Sequence, residues 1–332
     1  MPLLGLDKFP DFSKNLSKNK WADYIELLCL TDPDKEKGLN DIFINSRQEN
    51  ILQEDQLKEI TDGDEENSER TEKYHSDFLD IFKYFSSRNI FLNYFYPFEC
   101  IGKETIKLST MDENKLLYIY FLLSSNTGFF IDKKIPPLFT SFFEHISHQI
   151  MKIIYPNFRN ELFGTANQPG DYFYGGTLLD KLTRLSLCLG TNLTSKTIND
   201  SHNQSGAGDK GLDIVSFFNP DENLKQASYI PLCFGQCSCS YDEWKQKQSS
   251  IMKSLWINRI CDLPNYHEYL FVPFSLRGID GFWAKEEHSE IQTIVIDRFR
   301  FLNLLKMNKT DISHLLPEQI KSIIINFLEG RE

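Results

Sequence analysis

Gly208-Asp209-Lys210-Gly211-Leu212-Asp213-Ile214-Val215, followed after one turn by Leu232-Cys233-Phe234-Gly235-Gln236-Cys237-Ser238, is the stretch on which the fold assignment turns. The glycines at 208 and 211 flank a turn that delivers Asp213 to the start of an apolar strand expected over residues 212–218. A second strand is expected over residues 229–238. Side chains alternate faces along a strand, so Gln236 and Ser238 project to one side and Cys237 to the other, and Asp213 can meet the first two. A carboxylate at the head of an otherwise apolar strand is costly to bury without a cation or a hydrogen-bonding partner, which marks Asp213 as functional. Asp209 reads as a turn former bonding its own backbone. Gln236 carries the same desolvation cost, although a neighbouring backbone group can satisfy an amide.

Working outward, the pattern downstream alternates. A helix closed by Gly190 is expected over residues 176–190, then a polar loop over 191–205 before the two strands. Ser240 and Glu243 form a Ser-x-x-Glu capping box for a helix running through Trp244, Ile251, Met252, Leu255 and Trp256. Buried strands are expected over 269–274 and 291–296, and a last helix from Pro317 to Leu328. Asp297-Arg298 reads as an exposed strand end with a local ion pair, or else as a phosphate-contacting arginine held by its neighbour.

Upstream, Pro136 and Pro137 introduce a helix over residues 138–154 with Phe142, Phe143, Ile146, Ile150 and Ile153 inward. Before it the chain is mainly helical. An amphipathic helix is expected over 20–30, with Trp21, Tyr24, Ile25 and Leu28 on its apolar stripe, and a second near 39–45. Further helical patterns follow from Tyr74 and over 115–123. Between them, residues 53–73 hold Glu54, Asp55, Glu59, Asp62, Asp64, Glu65, Glu66, Glu69 and Glu72 and read as a solvated, mobile linker. The organisation expected is thus a helical region over 1–135 and an α/β domain over 136–332.

The Asp213 strand followed by Gln236-x-Ser238 resembles the PD-(D/E)xK phosphodiesterase superfamily, the restriction-endonuclease-like fold. In that family the second core strand bears an Asp and the third a (Glu/Asp/Gln)-x-Lys triplet. The likeness covers the second half of the chain, and the order helix, hairpin strands, helix, strand agrees with it. The resemblance implies a mixed sheet flanked by helices and a divalent cation, Mg²⁺ or Mn²⁺, held by Asp213 and Gln236. It further implies hydrolysis of phosphodiester bonds in DNA. The fold's first helix often adds a carboxylate to the metal, for which Glu144 and Asp180 are the two candidates, Glu144 preferred. Ser238 stands where the family has lysine, and a neutral hydroxyl cannot supply positive charge beside a reacting phosphate. Lys245 and Lys247 on the next helix are nearest in sequence, Lys245 the nearer. The site expected is therefore Asp213, Gln236, Ser238 and Lys245, with Asp213, Gln236 and Glu144 around the metal. An effector of bacterial antiphage defence is the role implied. The alternatives are an RNA-directed nuclease, or an inactive subunit that binds nucleic acid or a partner ATPase. An oligomer is compatible with any of these.

Composition frames that reading. The chain has 332 residues, 14% of them aromatic with 27 phenylalanines, which argues for a packed core and against a disordered scaffold. No apolar run reaches membrane-spanning length, and residues 1–12 lack a signal-peptide layout, so a cytoplasmic protein is expected. The formal net charge of −11 cuts against simple DNA binding, but much of it lies in residues 53–73. Seven cysteines agree with a reducing compartment. Cys233, Cys237 and Cys239, with His202 or His267, invite a zinc reading, yet paired Cys-x2-Cys or His-x3-His spacing is absent and burial is the simpler account. Walker, dinucleotide, nucleophile-elbow and His-Glu-x-x-His motifs are also absent.

Overall fold

The computed structural model describes residues 3–6, 17–42, 65–201, 210–220 and 229–330, with side chains throughout except at 65–75 and 200–201. The chain divides into two compact units. One comprises residues 1–135, 274–289 and 311–332, the other 136–273 and 290–310. The boundary at 135 coincides with the one expected, but residues 274–289 and 311–332 belong with the first unit and not with the α/β domain. Long-range packing decides this. Asn19 Nδ2 donates to the Arg277 carbonyl at 2.7 Å, Ser87 Oγ to the Ile279 carbonyl at 2.7 Å, and Lys321 Nζ to Glu113 at 3.2 Å.

In the first unit, Ser17 caps α1 (Lys18–Thr31) by accepting from the Lys20 N–H. Strand β1 (Glu36–Gly38), helix α2 (Glu65–Leu92), strands β2 (Phe98–Ile101) and β3 (Thr105–Leu108), and helix α3 (Glu113–Ser124) follow. The strands form an antiparallel sheet in the order β1-β3-β2. Helix α2 starts at Glu65, so residues 65–73 are helical and not linker; residues 53–64 lie outside those described. The helix expected near 39–45 is helical over 39–42, and its remainder also lies outside.

The core of this unit holds charge. Arg88 Nη1 lies 2.7 Å from Asp23 Oδ1 and 2.8 Å from Glu26 Oε1, and the Tyr96 and Tyr118 hydroxyls each donate to Glu26 at 2.8 Å. Burial pulls the Arg88 pKa down, but Glu26, Tyr118 and Asp23 outweigh it and hold the guanidinium well above its usual range.

The second unit is a mixed α/β layer structure. Its elements are α4 (Ile135–Ile154), β4 (Arg159–Leu162), α5 (Leu178–Cys188), α6 (Ser195–Ser201), β5 (Ile214–Phe217), β6 (Leu232–Cys237), α7 (Trp244–Ser250), α8 (Lys253–Trp256), β7 (His267–Phe271), β8 (Ile294–Ile296) and α9 (Arg298–Met307). The five-stranded sheet has the order β4-β5-β6-β7-β8. Strands β4, β5 and β6 run antiparallel, and β6, β7 and β8 parallel, with α7 and α8 forming the crossover from β6 to β7. One face packs Val215, Phe217, Leu232 and Phe234 against Leu182, Leu185 and Trp256. On the other, Phe143 of α4 and Phe271 of β7 both meet Phe301 of α9.

Several expectations need correction. The helix expected from 244 to 256 breaks at Ile251-Met252 into α7 and α8. Ser249 and Ser250 donate their hydroxyls to the Gln246 and Lys247 carbonyls at 2.7 and 2.6 Å, a local alternative to continued helix. No capping box forms, since Glu243 itself is the N-cap and makes no side-chain cap bond. The polar loop over 191–205 contains α6. Asp297 and Arg298 are both buried. Asp297 caps α9 by accepting from the Arg300 N–H at 3.1 Å, and Arg298 Nε donates to the Pro273 carbonyl at 2.7 Å, so neither the exposed nor the phosphate-binding reading holds. Among the described residues no helix is long and apolar enough to cross a membrane.

Candidate active site

Asp213 stands immediately before β5, and its N–H donates to the Gly235 carbonyl at 2.9 Å, seating it against β6. It shares the sheet face of Val215 and Phe217, which are two and four residues on, and Gln236 shares the face of Leu232 and Phe234. The two side chains therefore meet. Gln236 Nε2 donates to Asp213 Oδ2 at 2.8 Å, and the Cys237 N–H donates to the same oxygen at 2.6 Å. Gln236 Oε1 accepts from Ser250 Oγ at 3.1 Å, so the amide orients Asp213 while its oxygen is turned to α7. Gly211 makes this approach feasible. Its φ is +76°, and a Cβ there would lie 2.6 Å from Ser250 Oγ and 2.7 Å from Gln236 Oε1. Gly208 and Asp209 lie outside the described residues.

The other Asp213 oxygen faces a second carboxylate. A Cβ at Gly164 would lie 2.8 Å from Asp213 Oδ1 and 2.8 Å from Glu144 Oε2. The two oxygens are therefore no more than twice that distance apart, across a gap that only glycine leaves open. Glu144, on α4, accepts from the Ala166 N–H at 3.1 Å, and the Phe163 and Gly164 N–H groups donate to the Asp213 carbonyl at 2.7 and 3.1 Å. Glu144 is thus the helix carboxylate that reaches the site. Asp180 instead caps α5 in a reciprocal box with Thr177.

Ser238 is buried but turns its hydroxyl to the Ser240 carbonyl at 3.3 Å. Lys245, expected to stand in for the family lysine, is half-exposed and paired with Glu290 at 3.3 Å. The charge of Lys247 acts on the Cys239 thiol, lowering its pKa against the opposing effect of Glu144 and Asp213. The lysine that sequence reading missed is Lys181 on α5. Its ammonium donates to the Phe163 and Gly164 carbonyls at 3.0 and 3.1 Å, beside the glycine around which the carboxylates meet.

The three clustered thiols are shifted toward the protonated form. Burial first, then the charges of Asp213 and Glu144, pushes the Cys237 thiol well above its usual value, and burial with the same two carboxylates raises Cys239. Cys233 is raised to about 11, chiefly by burial. Among the described residues no three His, Cys, Asp or Glu side chains converge as a metal-ligating group, and His202 lies outside them.

A hard divalent cation fits the site chemically. Two carboxylate oxygens approach one another across the space at Gly164 that a Cβ would fill, and oxygen donors are what Mg²⁺ and Mn²⁺ take. No protein-family model matches the chain, and neither a curated protein nor a solved structure matches it.

Proposed function

We propose that the second unit is a restriction-endonuclease-like domain that hydrolyses phosphodiester bonds in DNA with Mg²⁺ or Mn²⁺. The observation that carries this reading is the placement of Asp213 at the head of the second strand of the five-stranded sheet, bonded at 2.8 Å to Gln236 on the third. Glu144, on the helix before the first strand, completes the carboxylate pair. Asp213 and Glu144 would hold the cation, which supplies an activated water and offsets phosphate charge when bound.

The chain's own residues do the positioning. The Gln236 amide and the Cys237 N–H fix Asp213 Oδ2, leaving Oδ1 turned to Glu144. Lys181 sets the Gly164 backbone and brings positive charge to that side of the site, and Lys247 brings it to the Cys239 side. A second reading, an inactive subunit that binds nucleic acid or a partner ATPase, is favoured by Ser238, whose hydroxyl is turned to a backbone carbonyl where the family has lysine.

Cleavage of a DNA duplex by the full chain, with Mg²⁺ or Mn²⁺ and then with EDTA, separates the two. The nuclease reading expects metal-dependent cleavage that Asp213→Ala abolishes in a folded protein. Unchanged activity in that variant or in EDTA sinks it, and binding without any cleavage favours the second reading.

A further inference from the structure

Arg159 opens β4, at the opposite end of the strand from Gly164, and pairs across the sheet with Phe217. Its guanidinium carbon lies 4.1 Å from the Tyr172 ring centroid and 5.6 Å from that of Phe217, and its Nε donates to Glu161 at 2.7 Å. These contacts hold the group and use one nitrogen. Among the described residues the two terminal nitrogens donate to no acceptor. The Arg159 side chain is 44% exposed and that of Glu161 only 19%, so the pair is anchored on its carboxylate side. Tyr172 and Phe218 expose their rings nearby, and Phe158 stacks on Phe218 at 5.9 Å. The loop from Gly164 to Tyr172 links this place to the carboxylate pair. Arg184 holds its far end through the Tyr172 and Gly175 carbonyls at 2.8 and 2.7 Å.

A guanidinium already held by a ring contact and one ion pair, with 44% of its side chain exposed, is suited to grip a phosphate, because less rotamer freedom remains to be lost on binding. We propose that Arg159 binds a backbone phosphate of the same DNA duplex whose phosphodiester lies at Asp213 and Glu144, about five base steps from it. This rests on the nuclease reading above. Arg159 and Gly164 are five residues apart, over β4 and the two residues after it, a reach of roughly 16 Å if extended at about 3.3 Å per residue, and each DNA strand presents a phosphate about every 3.4 Å of rise.

The test uses the full chain and a fluorescein-labelled DNA duplex, with anisotropy read across a salt series and Ca²⁺ replacing Mg²⁺. Arg159→Gln is expected to weaken binding about 5-fold and to reduce the slope of log K against log salt by about one. Glu161→Gln keeps an acceptor for Nε but removes the nearby negative charge, so it is expected to tighten binding about 2-fold. Equal affinity and slope for Arg159→Gln overturns the proposal. So does a loss in Glu161→Gln matching that of Arg159→Gln, the pattern of an ion pair that only holds structure. Duplexes shortened on one side of the cleavage point test the register: the wild-type advantage should vanish once fewer than about five base steps remain there. An advantage that survives shortening on either side overturns that assignment. If the wild type never cleaves yet Arg159→Gln still binds more weakly, the nuclease reading falls and the phosphate contact stands on binding alone.

Discussion

In the first unit Asp23 and Glu26 are buried against a guanidinium and two tyrosine hydroxyls; in the second, Asp213 and Glu144 approach one another around a glycine. The first cluster carries its countercharge within itself. Helical i,i+3 spacing puts Asp23 and Glu26 on one face of α1, and Arg88 of α2 bridges both. The second brings two carboxyl groups together from different elements and orients one of them with an amide and a backbone N–H. Carboxyl groups gathered from separate elements around a gap are the pattern of a site, whereas a matched buried network specifies packing.

The comparison breaks most sharply at Gly164. Gly164→Ala places a methyl 2.8 Å from both carboxylate oxygens, in the space a cation would use. A cation worth several kcal/mol of transition-state stabilisation corresponds to about 10³-fold or more in rate, so cleavage should fall by at least that. Isothermal titration should show weaker Mn²⁺ binding as well. Unaltered Mn²⁺ affinity would remove the carboxylate pair as the metal site.

Arg88→Met should do the converse. Leaving Asp23 and Glu26 without their guanidinium is expected to cost about 3–5 kcal/mol in denaturant unfolding. Mn²⁺ affinity of the folded fraction should be unchanged, and a loss of that affinity would show that the two clusters are not independent.

Lysine variants sharpen the second half of the contrast. Lys181→Met should slow cleavage about 10²-fold, the scale of one electrostatic donor removed from a reacting phosphate, with Lys247→Met smaller and Lys245→Ala at the wild-type rate. A large loss in Lys245→Ala alone would restore the lysine chosen from sequence proximity.

The smallest effect is in pH. Burial holds His145 below the ordinary histidine value against the opposing charge of Asp171. It holds His148 below that value too, against its hydrogen bond to Asn160. A depressed folded pKa gives stability that is present above the unfolded value of about 6.5 and is lost as pH falls through the folded value. Thermal unfolding of the second unit should therefore decline gently below about pH 6.5, and less so in His148→Phe. Arg88 and Tyr96 in the first unit are shifted upward, away from neutrality, and should add no such slope. A steeper decline in the first unit would reverse the assignment.

Much of this was legible because it is local. Alternation along two short strands put Asp213 and Gln236 on one face, Pro136 and Pro137 marked the start of α4, and Gly190 marked the end of α5. Apolar periodicity located α1, α3, α4, α5 and strands β5 to β8 within a few residues, since period and end signals are written in adjacent positions, whereas the short strands β1 to β4 and the helices α6 and α9 went unread. The sequence also nominated Glu144, although an acidic residue on an amphipathic helix usually faces water.

Other features only the tertiary structure decided. Proximity along the chain pointed to Lys245, whereas folding paired it with Glu290 and brought Lys181 to Gly164 from a helix that precedes both motif strands. Gly164 carried no sequence mark at all, because its role is the space it leaves between the side chains of Glu144 on α4 and Asp213 just before β5. Asp297 and Arg298 looked exposed until α9 and Pro273 enclosed them. Residues 274–289 and 311–332 joined the first unit through contacts with residues far away in sequence. The physical reason is common to all of these. Periodicity and capping depend on neighbours within a few residues, whereas ion-pair choice, burial of a charge and the size of a gap depend on which distant segments pack together.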